Sequence, residues 1–188
     1  MSISLAMKNN NLVINSDLVL SIATDEDIMF LKELYNDPKI QSFALGQEEK
    51  MEITTEHVKA TIESFRNSDN FLFIVRFKEN PIGMSMLYEL SQKNKHSKIG
   101  VALIDEYQNR GFGTVVVAYV ANFAFEELGL NKVFGEVYDY NTKSISMLNK
   151  IGFEREGILK NHLFRRNRMI DVYIYSLFNR KKYGDFLE

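Results

Sequence analysis

The chain contains no cysteine and no tryptophan, only two prolines and only three histidines in 188 residues. The lack of cysteine excludes disulfides, thiolate metal sites and cysteine nucleophiles together. His57, His96 and His162 show no carboxylates at ligand spacing, so no metal site is expected. A formal net charge of -2 leaves no basic excess for a polyanion, and only the run Arg165, Arg166, Arg168 is locally basic; no nucleic-acid partner is expected. No apolar run approaches the roughly 20 residues that cross a bilayer. The start, "MSISLAMKNNNLVIN", lacks the basic region and continuous apolar core of a secretory signal. These absences predict a soluble, cytoplasmic protein without a membrane partner. Pro38 and Pro81 mark no convincing boundary, and no linker or repeat interrupts the chain, so one domain over residues 1–188 is expected.

What is present alternates between two periods. "LVLSIA" (Leu18 to Ala23) reads as a strand. Thr24 then caps a helix with Asp25, Glu26 and Asp27 in its first turn, expected to stop before the turn signal Asn36-Asp37-Pro38. A second helix is predicted over Thr54 to Phe65. "FLFIVRF" (Phe71 to Phe77), "IGMSMLYEL" (Ile82 to Leu90) and "KIGVALI" (Lys98 to Ile104) form a meander of three strands. After a helix behind Gly113 come the strand "KVFGEVY" (Lys132 to Tyr138), the helix "TKSISMLNKI" (Thr142 to Ile151) and two final strands, the last "MIDVYIYSL" (Met169 to Leu177). The fold class is α/β in the mixed α+β sense: a largely antiparallel sheet of about seven strands flanked by about four helices.

The segment "EYQNRGFGTVVVAYVANFAF" (Glu106 to Phe125) places two glycines and an arginine at the start of a helix. Helix N-termini carry unsatisfied N–H groups and the positive end of the dipole, and glycine lets a phosphate reach backbone. A plain turn before a buried helix would look similar. There is no Gly-Lys-Ser/Thr for a Walker loop, and the third glycine of a dinucleotide fingerprint is missing. In "NTKSISMLNKIGF" (Asn141 to Phe153), Asn141, Ser144 and Leu148 lie on one helix face.

Taken together, Gln108-x-x-Gly111-x-Gly113 and Asn141-x-x-Ser144…Lys150-x-Gly152-Phe153 resemble the Gcn5-related N-acetyltransferase (GNAT) superfamily. The similarity runs from Leu18 to Leu177 and is greatest to the branch of ribosomal-protein alanine, spermidine and aminosugar acetyltransferases. It implies acetyl-CoA as cosubstrate, held between two splayed parallel strands, Lys98–Ile104 and Lys132–Tyr138. Val101, Ala102 and Leu103 would bind pantetheine and the acetyl carbonyl through their backbone. The N–H groups of Gln108, Asn109, Arg110, Gly111, Phe112, Gly113 and Thr114 would hold the pyrophosphate, and Asn141, Ser144 and Lys150 the far side of the cofactor.

The implied reaction is direct attack by an amine on the thioester in a ternary complex. Leu103 N–H would stabilise the oxyanion, and Glu89 is the first candidate for general base. The tyrosine that protonates the thiolate in many members is replaced by Leu148, which leaves Tyr138, Tyr140 or Ser144 as substitutes, Tyr140 being the one assigned. A glutamate common before "IG" is replaced by Lys98. The acceptor would be a primary amine of a small molecule (polyamine, aminosugar or antibiotic) or a protein N-terminus, with the acids of "GQEEKME" (Gly46 to Glu52) keeping polyamines in view. A homodimer is expected. The alternative is a non-catalytic acyl-CoA-binding module.

Overall fold

The computed structural model describes residues 11–44, 52–165 and 167–180. The acidic stretch over residues 46–51 and Arg166 of the basic turn lie outside the described residues.

One eight-stranded sheet organises the chain. Its strands are β1 (Leu12–Val13), β2 (Leu18–Ile22), β3 (Phe71–Phe77), β4 (Asn80–Ser91), β5 (His96–Leu103), β6 (Lys132–Tyr138), β7 (Glu154–Arg165) and β8 (Arg168–Phe178), in the spatial order β1-β2-β3-β4-β5-β6-β8-β7. Every neighbouring pair is antiparallel except β5 and β6. The helices are α1 (Ile28–Asn36), α2 (Pro38–Ala44), α3 (Thr55–Arg66), α4 (Phe112–Glu126) and α5 (Thr142–Ile151). No helix of the described residues is long and apolar enough to cross a membrane.

β3 reads as an unbroken apolar run because both its faces are covered. Phe71, Phe73 and Val75 turn toward α4, where Val116, Val120 and Ala124 are buried with them. Phe123 meets the rings of Phe71 and Phe73 edge-on at 5.4 and 5.9 Å. Leu72 and Ile74 turn the other way, into a cluster with Ile28 and Leu31 of α1, Ile40 of α2 and Val58 and Ile62 of α3. Leu148 of α5 belongs to the α4 side. The sheet therefore carries α4 and α5 on one face and α1, α2 and α3 on the other.

Three elements differ from expectation. β1 is an eighth strand, paired Leu12↔Leu20; two residues are too few to show a period. α2 starts where a turn was expected, because Pro38 opens the helix instead of ending one. Asp37 is its cap: Oδ1 accepts the N–H groups of Lys39 at 2.7 Å and Ile40 at 3.3 Å. The turn of the first hairpin is Lys78–Glu79, both at positive φ, so β4 starts at Asn80 ahead of the expected Ile82.

The feature that positions the site is the β5–β6 pair. Only three rungs join them, His96↔Lys132, Ser97↔Val133 and Lys98↔Phe134. A Cβ on Gly135 would stand 3.3 Å from Ile99 O, so the strands are still close one step further on. β5 then continues to Leu103 and β6 to Tyr138 without pairing, and the two strands form a fork.

Candidate active site

Hydrogen-bond directions along β5 alternate between its two neighbours. Ile104 N–H donates to Ile82 O of β4 at 3.0 Å, and Ala102 pairs with Met84 on the same side. By alternation Val101 and Leu103 turn their N–H groups toward the fork. The expectation of three consecutive cofactor-binding backbones is corrected here: Ala102 spends its polar groups on β4, and its side chain is buried on the α1–α3 face. The Leu103 carbonyl is already taken, accepting from Gln108 Nε2 at 2.9 Å.

β5 leads through a 3-10 turn, Asp105–Tyr107, into the glycine loop. Asn109 (φ 56°) and Gly111 (φ 87°) are both left-handed, and the chain reverses there into α4. Gly111 is the N-cap and offers no side-chain acceptor. Val115 N–H closes the first turn onto Gly111 O at 3.1 Å, so the N–H groups of Phe112, Gly113 and Thr114 have no carbonyl ahead of them within the helix. Beside Gly111 the space is open, with no heavy atom within 4 Å of where a Cβ would stand. Gly113 differs: its Cβ would stand 3.2 Å from Met147 Sδ and 3.8 Å from Leu103 Cδ1. One glycine leaves room for a ligand, and the other lets α4 close on α5.

Arg110 folds over its neighbours, with its guanidinium 5.2 Å from the Tyr107 ring and 5.5 Å from the Phe112 ring. Phe77 joins those two rings at 6.0 and 5.0 Å, forming an aromatic base under the loop.

Asn141 is the N-cap of α5; its Oδ1 accepts Ser144 N–H at 3.2 Å. Both residues therefore sit at the tip of β6. Lys150 does not join them: it is exposed near the far end of the helix, about 9 Å beyond Ser144 along the axis. Leu148 is buried in the α4 core. Tyr138 is buried beside Val172 and Ile170; burial raises its phenol above the ordinary value, against the opposing pull of Arg165.

The structure does not bring Glu89 to the fork. Glu89 lies at a β4 bulge with φ 50°, four residues (about 13 Å) beyond Ser85, the partner of Val101. Its carboxylate is 59% exposed and 3.0 Å from Lys98 Nζ. Lys98 itself is only 16% exposed and also reaches Glu136 Oε1 at 2.9 Å. Burial works to lower its pKa, but the hydrogen bonds that Lys98 donates to Glu136 and Glu89 overcome that and raise it. Lys98 and Phe134 form the last rung of the pair, so continuing the register sets Glu136 level with Gly100, next to Val101. Sequence reasoning missed Glu136. The signal was a single carboxylate between Gly135 and Val137 in a strand whose other charge, Lys132, stands at its start.

A separate cavity of about 400 Å³, lined by Ile22, Ala23, Ile62, Phe65 and Leu72 among others, lies across β2 and β3, at the opposite end of the sheet from the fork tips.

The architecture and loop have known counterparts. Residues 17–154 match the family described as the acetyltransferase (GNAT) domain. The uncharacterized N-acetyltransferase p20 of Bacillus licheniformis is 32% identical over 117 residues, which is 62% of this chain and 66% of that protein. A spermidine N-acetyltransferase from Vibrio cholerae, solved with CoA and spermine, superposes with a TM-score of 0.81 at 24% identity, covering 89% of this chain and 98% of that one. A ribosomal L7/L12 α-N-protein acetyltransferase solved with coenzyme A gives 0.79 at 15% identity, covering 90% and 98%. With residues 17–154 matched to that domain and relatives named as N-acetyltransferases, the chain belongs to the GNAT family and is an N-acetyltransferase.

Proposed function

We propose that the protein transfers an acetyl group from acetyl-CoA to a primary amine by direct attack in a ternary complex. The observation that carries this reading is the fork, open beyond three rungs, with two backbone donors turned inward and the uncapped start of α4 at its mouth. The residues fit the cosubstrate. The N–H groups of Phe112, Gly113 and Thr114, beside the open space at Gly111, suit a pyrophosphate. Asn141 and Ser144, at the tip of β6, stand on the other side of the fork.

The chain's own groups then have definite tasks. Val101 and Leu103 N–H hold pantetheine and the developing oxyanion. Glu136, fixed by Lys98 and level with Gly100, next to Val101, takes the amine's proton in place of Glu89. Leu148 supplies no proton to the departing sulfur. Glu136 brings one carboxylate to the fork beside Lys98, a group that can meet an acceptor arriving as a cation. A polyamine, an aminosugar and a protein N-terminus all satisfy that chemistry. Spermidine acetylation by the Vibrio cholerae relative, 24% identical over 163 residues, favours the polyamine class. The same reading takes residues 1–188 as one domain, working in the cytoplasm as a homo-oligomer.

The test is thiol release from acetyl-CoA with spermidine, an aminosugar and an alanine-starting peptide as acceptors, beside calorimetry with CoA. Turnover with at least one amine is expected. CoA binding without thiol release from any amine would leave a binding module instead, and no CoA binding would remove the reading altogether.

A further inference from the structure

α2 crosses the mouth of the fork and is pinned to both of its arms. It lies on the α1–α3 face, where Ile40 is buried with Ala102 and Met84, opposite the face that carries α4 and its N–H groups. Near its start, Lys39 Nζ stands 2.6 Å from Asp105 Oδ2, two residues past the end of β5. Near its end, the Tyr140 hydroxyl donates to the Ser42 carbonyl at 3.1 Å, two residues past the end of β6.

The two pins are unequal. Lys39 and Asp105 are 64% and 61% exposed, and such a pair is screened by water and contributes little. Tyr140 is half-buried and packed on several sides. Its ring lies 5.6 Å from Phe43 and 5.6 Å from Tyr138. The Arg168 guanidinium is 5.9 Å from the same ring and is itself held by both Asp139 oxygens at 2.9 and 3.0 Å. The β6 side of α2 is therefore fixed by a supported ring and a hydrogen bond, and the β5 side by a surface ion pair together with the burial of Ile40 in the cluster of Ala102 and Met84.

This arrangement bears on the proton donor that Leu148 fails to provide. A phenol that donates to a carbonyl cannot give the same proton to a thiolate without releasing α2. We propose that Tyr140 is a positioning residue and not the general acid: it holds α2 as a strap over the acceptor side of the fork, and the strap selects which amines reach the acetyl group. The proposal rests on the acetyltransferase reading above. An acceptor attacking from the face opposite α4 must pass the edge of α2, so the strap's position filters by bulk.

Tyr140→Phe keeps the ring and removes only the donor. In the full-length protein, kcat and KM would be measured for a slim and a bulky amine that the wild type acetylates, with pH profiles, alongside hydrogen exchange at the α2 amides. The expected result is α2 exchange about fivefold faster and a shift of similar size in the bulky-to-slim ratio of kcat/KM, one lost hydrogen bond being involved. KM for acetyl-CoA and the pH profile of kcat should hold. A roughly 100-fold fall in kcat for both amines with loss of the alkaline limb would assign Tyr140 as the acid and overturn the proposal. Unchanged exchange and unchanged selectivity would overturn it equally. Lys39→Met gives the second arm, expected to speed α2 exchange less than Tyr140→Phe does; the reverse order counts against the strap. A wild type without turnover sinks the acetyltransferase reading, while the exchange comparison still decides the strap.

Discussion

Gly113 and Met147 meet across the α4–α5 contact, with Met147 Sδ 3.2 Å from the place a Cβ on Gly113 would take. Gly111, two residues earlier, faces open space. The loop's two glycines therefore answer to different forces. Gly113→Ala should change stability by less than about 1 kcal/mol, since the helix-propensity gain offsets a small shift of a flexible thioether. Gly113→Val should cost about 2 kcal/mol by overpacking. Gly111→Ala should cost about 1 kcal/mol through its left-handed backbone and weaken CoA binding as well. Urea melts and CoA titrations separate the three; equal losses for Gly111→Ala and Gly113→Ala would contradict the division.

Gly83 is the tighter constraint. A Cβ there would stand 2.3 Å from Ala102 O and 2.9 Å from Leu103 Cα, both backbone atoms that cannot swing aside. Gly83→Ala should cost about 3 kcal/mol and disturb the part of β5 that turns Leu103 toward the fork. A thermal melt within a degree or two of wild type would show that the strands separate more easily than this packing implies.

Glu136 and Glu89 share Lys98 but not the fork. Glu136→Gln should lower kcat/KM about 100-fold and shift the acid limb of the rate profile toward the pKa of the free amine. Glu89→Gln, at an exposed bulge, should keep both within a few-fold. The opposite ranking would restore Glu89 as the base.

Tyr35 is buried in the α1 cluster, and burial pushes its phenol up to about 12 from the ordinary 10.0. The folded chain therefore keeps this proton after the unfolded chain has lost it. Its contribution to stability is complete below pH 10 and is lost as pH rises through 12, by roughly 2–3 kcal/mol. Denaturant midpoints between pH 9 and 12 should fall in wild type and fall less in Tyr35→Phe; parallel slopes would place the ionisation elsewhere.

Long periodic segments were legible in the sequence because their period is set by burial, as in β3 and α4. The glycine loop and Asn141 were legible because a left-handed turn and an N-cap each accept few residue types. α2 was hidden because Pro38 both ends and begins helices, and the carboxylate of Asp37 that decides between them reads equally as part of a turn. The division between Val101 and Leu103 on one side and Ala102 on the other depends on which neighbour each carbonyl faces, which three small apolar residues in a row do not reveal. Glu136 and Glu89 could be ranked only by register, a property of two strands and not of either alone.

Among the described residues, three rungs and the Asn131 and Lys132 N–H groups donating to Lys95 O are the backbone pairing that joins β1–β5 to β6, β8 and β7. The sheet is thus two plates sharing a short seam, and a cosubstrate lying along the inward edge of β5 would act as a missing length of that seam. Occupancy should then do more than fill a site: it should tie the two plates together beyond the core they already share and raise the midpoint of unfolding.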